Sequence, residues 1–536
     1  MASLITNLTT TQIAALSSSI LAKLTSDDWA AFSSDQFQAL TSTQFSTLGT
    51  QAASYFTTAD LSVIETADLH ALSTAGIRAL SSNQLNALTT DAFGSLGTNQ
   101  VAALSTSQIV STPTADLNVL GSDQIRALTT SQIGALSTAQ ASNLTSTELN
   151  ALTSTQLRAL TSTQLDSLTS DQLNALTSTQ LQALNTNQIT ALTTTQVSNL
   201  ATNSLNELTS NELRALTTNQ VSALTTDQIH SLATAAIQAL GTNQVNVLSS
   251  NQTGAISTTD IAALTSSQVG ALTTTQTPGL TTDQIGAIPT ADVKSLTTDA
   301  LRSLTSDQIN ALGSAQLQAM GTNQIVSLTT SQVSNLATAS LNELTSSELR
   351  ALTTTQLDSL TTDQLNALNS TQLQALGTNQ IAALTTSQVS NLATASLNEL
   401  SSNELRALTS TQLDSLTTDQ LNALNSTQLQ ALATSQIAAL TTSQVSNLAT
   451  ASLNELTSAE LRALTSTQLD ALTSDQLNNL NSTQLQALAT SQIAALTTSQ
   501  VSTLATNSLN ELTSNELRSL TTNQLDALTS DQLNNL

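Results

Sequence analysis

Cysteine is absent from the 536 residues. That excludes disulfides, zinc ribbons, haem attachment and thiol nucleophiles. Aromatic residues make up 1% of the chain, and charged residues 9%, against roughly a quarter in ordinary soluble proteins. Two histidines, His70 and His230, leave little for acid–base catalysis or metal binding. Eleven basic residues face 36 acids, a formal net charge of −25. This balance argues against nucleic acid and anionic membrane as partners. No apolar run approaches the ~20 residues of a membrane helix. The first eight residues, Met1 to Leu8, carry no basic cluster and no continuous apolar core. A cleaved signal peptide or transit peptide is therefore not expected.

What the sequence does contain is one pattern, repeated. The 536 residues equal 67 octads of eight. With position 8 on residues divisible by eight, the consensus is Thr-Thr-x-Gln-(Ile/Leu/Val)-x-Ala-Leu. Thr153 to Leu160 and Thr305 to Leu312 are examples. Position 8 is apolar in 66 of the 67 octads, with Thr112 the exception. Position 5 departs from a large apolar residue only at Ala53, Ala141, Thr253 and Thr277. No insertion or deletion interrupts the series, as expected of stacked units rather than a loop-tolerant globule.

Local physics selects among structures for the octad. A continuous helix overshoots two turns by about 80° per octad, so the leucines would form no lasting stripe. In a strand, positions 5 and 8 have opposite parity and would face opposite sides. A short helix per octad fits better. Thr or Ser at position 1 and Gln, Asp or Glu at position 4 form a capping box. The preceding Leu and the apolar residue at position 5 form the hydrophobic staple beside it. The expected fold is all-α, a solenoid of short capped helices, one per octad. A β-solenoid is the alternative. Leu152, Leu157, Leu160, Leu304, Ile309 and Leu312 are expected in the core. So short a helix is unstable alone and must be held by its neighbours.

All nine arginines, with Lys294, His70 and His230, occupy position 6. That is the last turn, where a cation is favoured, and it is expected to face solvent. Every aromatic residue lies within the first 93 positions. Trp29, Phe32, Phe37, Phe45 and Phe56 are candidates for bulkier end packing, a terminal cap or an assembly region. Pro278 falls inside a helix, beside polar Thr277 in a core slot, and predicts a local defect. The segment Leu-Ala-Thr-x-Ser-Leu-Asn-Glu-Leu begins at Leu336, Leu392, Leu448 and Leu504, a spacing of 56. Glu343 precedes Arg350 by seven positions within it, and lateral ion pairs of that kind are expected to be weak. The expected organisation is residues 1–96 as aromatic-containing repeats, 97–335 as solenoid, and 336–536 as solenoid with the longer super-repeat.

No phosphate loop, zincin motif, nucleophile elbow or EF-hand loop is present. Asp27-Asp28 reads as helix N-terminal charge rather than a catalytic pair. No enzyme activity and no cofactor are expected. The unit Ala-Leu-Thr-Thr-x-Gln-(Ile/Leu/Val) resembles the Leu/Thr-rich octapeptide repeats of large bacterial surface or secreted proteins, often labelled adhesin-like. That resemblance implies an extracellular or cell-surface location, with the cytoplasm as alternative. It also implies a fibrous role, and a rod or filament that associates with itself end to end is the first expectation, because an open solenoid end exposes the apolar surface that neighbours bury. An adhesin stalk or ligand-binding solenoid is the second expectation.

Overall fold

A computed structural model describes residues 3–536. It is all-helical, with 65 short α-helices and no strand among the described residues. The β-solenoid alternative is thereby corrected: an α-helix begins directly after position 1 in 65 of the 67 octads, where a strand would have continued. Each helix runs for four to six residues and starts at position 2, as in Ser154–Ala159 and Thr282–Ala287. Around helix Ser146–Ala151 the N-cap Thr145 is extended, and so is Leu152 at the other end. Two successive extended residues, position 8 and then position 1, therefore turn the chain at each corner. No described residue has positive φ, so the corner needs no glycine and every octad can make it.

The chain divides into two compact units, Met1–Ala271 and Leu272–Leu536. Within each, a helix packs on the third helix before it and the third after it. Helix Ser154–Ala159 lies against Thr130–Ala135 and Ser178–Leu181. Three octads therefore complete one turn. The super-repeat is seven octads long, two turns plus one octad, so successive copies step from one side of the coil to the next. Octads are consequently interchangeable among the three sides.

Positions 5 and 8 fill the interior. Leu157 is fully buried, and Leu152, Leu160, Leu304, Ile309 and Leu312 are nearly so. The threonine exceptions keep their burial by bonding internally. Thr112 Oγ1 donates to the Gln108 carbonyl at 2.8 Å. Thr253 Oγ1 reaches the Ser249 and Ser250 carbonyls. At Pro278 the octad carries only a 3₁₀ turn, Thr277–Gly279, because proline has no N–H for the α-helical bond. The five aromatic side chains lie inside: Trp29, Phe37 and Phe45 have no exposure, Phe56 3% and Phe32 8%. They pack on one another as an internal cluster and display no aromatic surface for assembly.

Candidate functional site

The most repeated chemical arrangement is built around the amide at position 4. Its first half is the capping box. Thr353 N–H donates to Gln356 Oε1 at 2.8 Å, and Gln356 N–H donates to Thr353 Oγ1 at 3.2 Å. The second half crosses to the turn before. Gln356 Nε2 donates to the carbonyls of Ile325 at 3.0 Å and Leu328 at 2.7 Å. Gln164 does the same to Ile133 and Leu136. The acceptors lie 31 and 28 positions back, at positions 5 and 8 of an earlier octad. The position-5 carbonyl lies in the last helical turn and also accepts the position-8 N–H, as Ile325 O does from Leu328, whereas the position-8 carbonyl lies past the helix end and lacks a helical partner. One buried side chain thus caps a helix start and satisfies a helix end one turn away.

Glutamine suits this slot because its amide carries an acceptor oxygen and a two-proton donor nitrogen on one side chain long enough to reach both sites. Glu148 keeps the cap, accepting from Thr145 N–H, yet its Oε1 is buried without a partner. Asp60 is shorter still. Burial pushes its carboxyl above the ordinary value of 3.8, while the Thr57 N–H and hydroxyl pull it down. Asp68 is likewise raised, by burial first and by nearby Glu65, against the donated Ser42 hydroxyl. At Asp28 the sign reverses: Thr25 N–H, Ser3 and the Thr25 hydroxyl hold the carboxyl below its ordinary value.

Position 6 supplies a second cross-turn ladder. Its side chain meets the position-7 carbonyl 25 positions ahead. Arg158 Nε donates to Ala183 at 2.7 Å, Arg350 Nε to Ala375 at 2.6 Å, and Asn310 Nδ2 to Asn335 at 2.9 Å. Both histidines occupy the same place, with Nδ1 of His70 against Ser95 O and that of His230 against Ala255 O. The position is on the surface, as expected, and its side chains tie turns together. The Glu343–Arg350 pairing does not form. Among the described residues the one ion pair joins Arg126 and Asp123, both exposed. Arg350 points along the stack to the next turn, whereas Glu343 belongs to a neighbouring side.

A compensation rule links the two ladders. Six octads begin with Ala and have Ser or Ala at position 4, so they lack both capping groups. In each, the orphan position-1 N–H donates to an Asn Oδ1 27 positions earlier. Ala393 N–H reaches Asn366 at 2.7 Å, and Ala201 N–H reaches Asn174 at 2.7 Å. Ala233, Ala337, Ala449 and Ala505 repeat the arrangement with Asn206, Asn310, Asn422 and Asn478. Ala433 and Ala489 keep Gln at position 4 and are capped by it. The signal was present in the sequence as Asn and Ala at a spacing of 27. It has meaning only once three octads are known to make a turn.

Shallow notches open on the surface where position 1 is glycine. One is lined by His70, Ser73, Gly97 and Asn99, and its counterpart six turns along by Arg214, Thr217, Gly241 and Asn243. Among the described residues no three acidic, histidine or cysteine side chains gather as a metal site. Among them, too, no helix is long and apolar enough to cross a membrane.

The family model for the ALTTAQ repeat matches 13 times. The matched segments are residues 61–98, 114–146, 144–178, 171–202, 200–234, 254–289, 285–322, 309–338, 333–370, 364–394, 391–426, 418–450 and 445–482. No curated protein matches the chain. A solved structure titled "Structure of APUM23-GGAAUUGACGG" aligns at 13% identity over 99% of this chain and 98% of that one. Its TM-score is 0.14, and the likeness carries no argument. The matched repeats span most of the sequence, and the chain belongs to the ALTTAQ repeat family.

Proposed function

We propose that this chain is a non-catalytic structural protein, a rod or filament element of the bacterial cell surface or its exterior that associates with itself end to end. The observation that supports this reading is the double-sided amide at position 4. It bonds a turn to the turn before it through backbone carbonyls, which every octad possesses, so the stack extends without any special sequence. Core-slot leucines follow the same logic. Leu157, with a turn on either side of it, is fully buried.

Electron microscopy of the purified chain over a concentration series tests the proposal. Uniform fibres that lengthen with concentration are expected. Discrete particles of constant size at every concentration would refute self-association. A second reading, a ligand-binding solenoid, draws support from the recurring polar notches at Gly97 and Gly241. Constant-size particles that are retained on a glycan surface would favour it.

A further inference from the structure

The clamp at position 4 is missing from four successive octads. Gln36 reaches back to Ile5 and Leu8, and Gln44 to Ile13 and Leu16. The next four occupants are Ala52, Asp60, Asp68 and Gly76. Gln84 then resumes the series with the Phe56 carbonyl at 2.6 Å. Three octads make a turn, so a run of four leaves a full turn with no amide clamp. Elsewhere beyond residue 48 the sequence never places more than two unclamped octads in succession. Every other junction between turns there keeps at least one.

A different chemistry bridges this junction. Phe56, on the far side, meets Trp29 at 5.1 Å, Phe37 at 5.2 Å and Phe45 at 6.1 Å, each edge-on. Those three rings belong to the octads before the gap. Helix Ser42–Ser46 still packs on helix Thr66–Ala71 across it, so what is lost is the polar tie and not the contact. Polar side-chain bonds across the gap are few: Ser42 Oγ to Asp68 at 2.7 Å and Gln38 Nε2 to the Val63 carbonyl at 3.0 Å. The Trp29 indole N–H is buried and without a partner, a cost that a fully satisfied junction avoids. In a linear array of stacked units, opening begins at the weakest interface and releases everything on its shorter side.

We propose that residues 49–80 form a seam, at which residues 3–48 detach and re-dock as one cooperative unit while the rest of the first unit stays folded. Phe56 is the latch of this seam, holding three rings where glutamines hold the other turns. Detachment uncovers Phe56 on one side and Trp29, Phe37 and Phe45 on the other.

Trp29 is the sole tryptophan, so its fluorescence reports the seam while far-UV circular dichroism reports the whole chain. In urea, the full-length chain is expected to lose the buried-tryptophan signal at a lower concentration than the bulk of its ellipticity. Coincident transitions would overturn the proposal. Hydrogen exchange separates a seam from simple fraying. Protection is expected to be uniform over residues 5–48 and to step upward beyond residue 80. A smooth gradient with no step would overturn it. The double variant Asp60→Gln, Asp68→Gln restores two amides, the first aimed at the carbonyls of Trp29 and Phe32, the second at those of Phe37 and Leu40. It is expected to narrow the gap between the two transitions. An unchanged gap in the folded variant would refute the clamp account.

Discussion

At the scale of the residue, position 4 carries more than its neighbours. Gln356 makes two bonds to Thr353 and two to carbonyls of the previous turn. Gln356→Ala leaves the buried Leu328 carbonyl without a donor, while Ile325 O keeps the Leu328 N–H, a loss of about 1–3 kcal/mol of local stability. Amide exchange around Leu328 and Thr353 should register it. Arg302→Gln, on the exposed position 6, should change stability by less than about 0.5 kcal/mol, measured in the same way. The capping box was legible in the sequence because Thr353 and Gln356 sit within one octad. The outward half of the amide was not, because its partners, Ile325 and Leu328, belong to a different turn.

Proton linkage belongs to this scale too. Asp60 and Asp68 have carboxyls raised in the folded chain by burial. A raised acid binds its proton more tightly when folded. The stability it contributes is therefore full below the ordinary value of 3.8 and is lost as pH rises through the folded value. Helix Ser34–Gln38 brings Asp35 towards Asp60, while helix Ser82–Leu85 brings no titratable group. Helix Thr90–Gly94 brings Asp91 towards Asp68, helix Ser42–Ser46 brings none, and Glu65 and His70 share Asp68's own octad. Asp28 acts in the opposite sense, its contribution being lost as pH falls. The Trp29 transition in urea should move to lower denaturant as pH rises from about 4 to 7. Asp60→Asn should flatten that dependence, and an unaltered slope would remove Asp60 from the account.

At the scale of the element, each helix is defined by what closes its first turn. Where position 1 is Ala and position 4 is Ser, as at Ala393 and Ser396, the cap comes from Asn366 of an earlier turn. Asn366→Ala should destabilise helix Thr394–Asn398 by about 1 kcal/mol, seen as faster exchange of the Ala393 amide. Adding Ser396→Gln supplies the acceptor from within the octad and should restore protection. Failure of that rescue would mean that Asn366 acts through something other than the cap. The 3₁₀ turn at Thr277–Gly279 illustrates the converse. One proline suffices to convert the helix, as expected from its sequence, because a single α-helical turn has no spare hydrogen bonds.

At the scale of the whole molecule, turn-to-turn register decides which changes the chain tolerates. Deleting one full turn of three octads, such as 401–424, leaves every remaining octad in phase and replaces its neighbours with near-equivalents. Deleting half an octad, such as 401–404, removes the start of one helix and puts the octads that follow out of step with the turn before. The first deletion should leave the midpoint of thermal unfolding close to that of the parent. The second should lower it sharply and reduce the ellipticity. Equal effects would show that register does not govern stability.

Several features were fixed by the residues alone. Thr or Ser at position 1, an amide or acid at position 4 and leucine at position 8 determine where each helix begins, where it ends and which face is apolar. All of these are interactions between near neighbours, so one octad contains them. The number of octads per turn is different in kind. A period of eight is satisfied by any number per turn. The choice of three follows from the summed backbone angles at the corners and from which side chains then meet across successive turns. Only the tertiary structure supplied that choice. With it came the carbonyl partners of Gln356, the cross-turn role of Arg350, the Asn366–Ala393 exchange and the unclamped turn at residues 49–80.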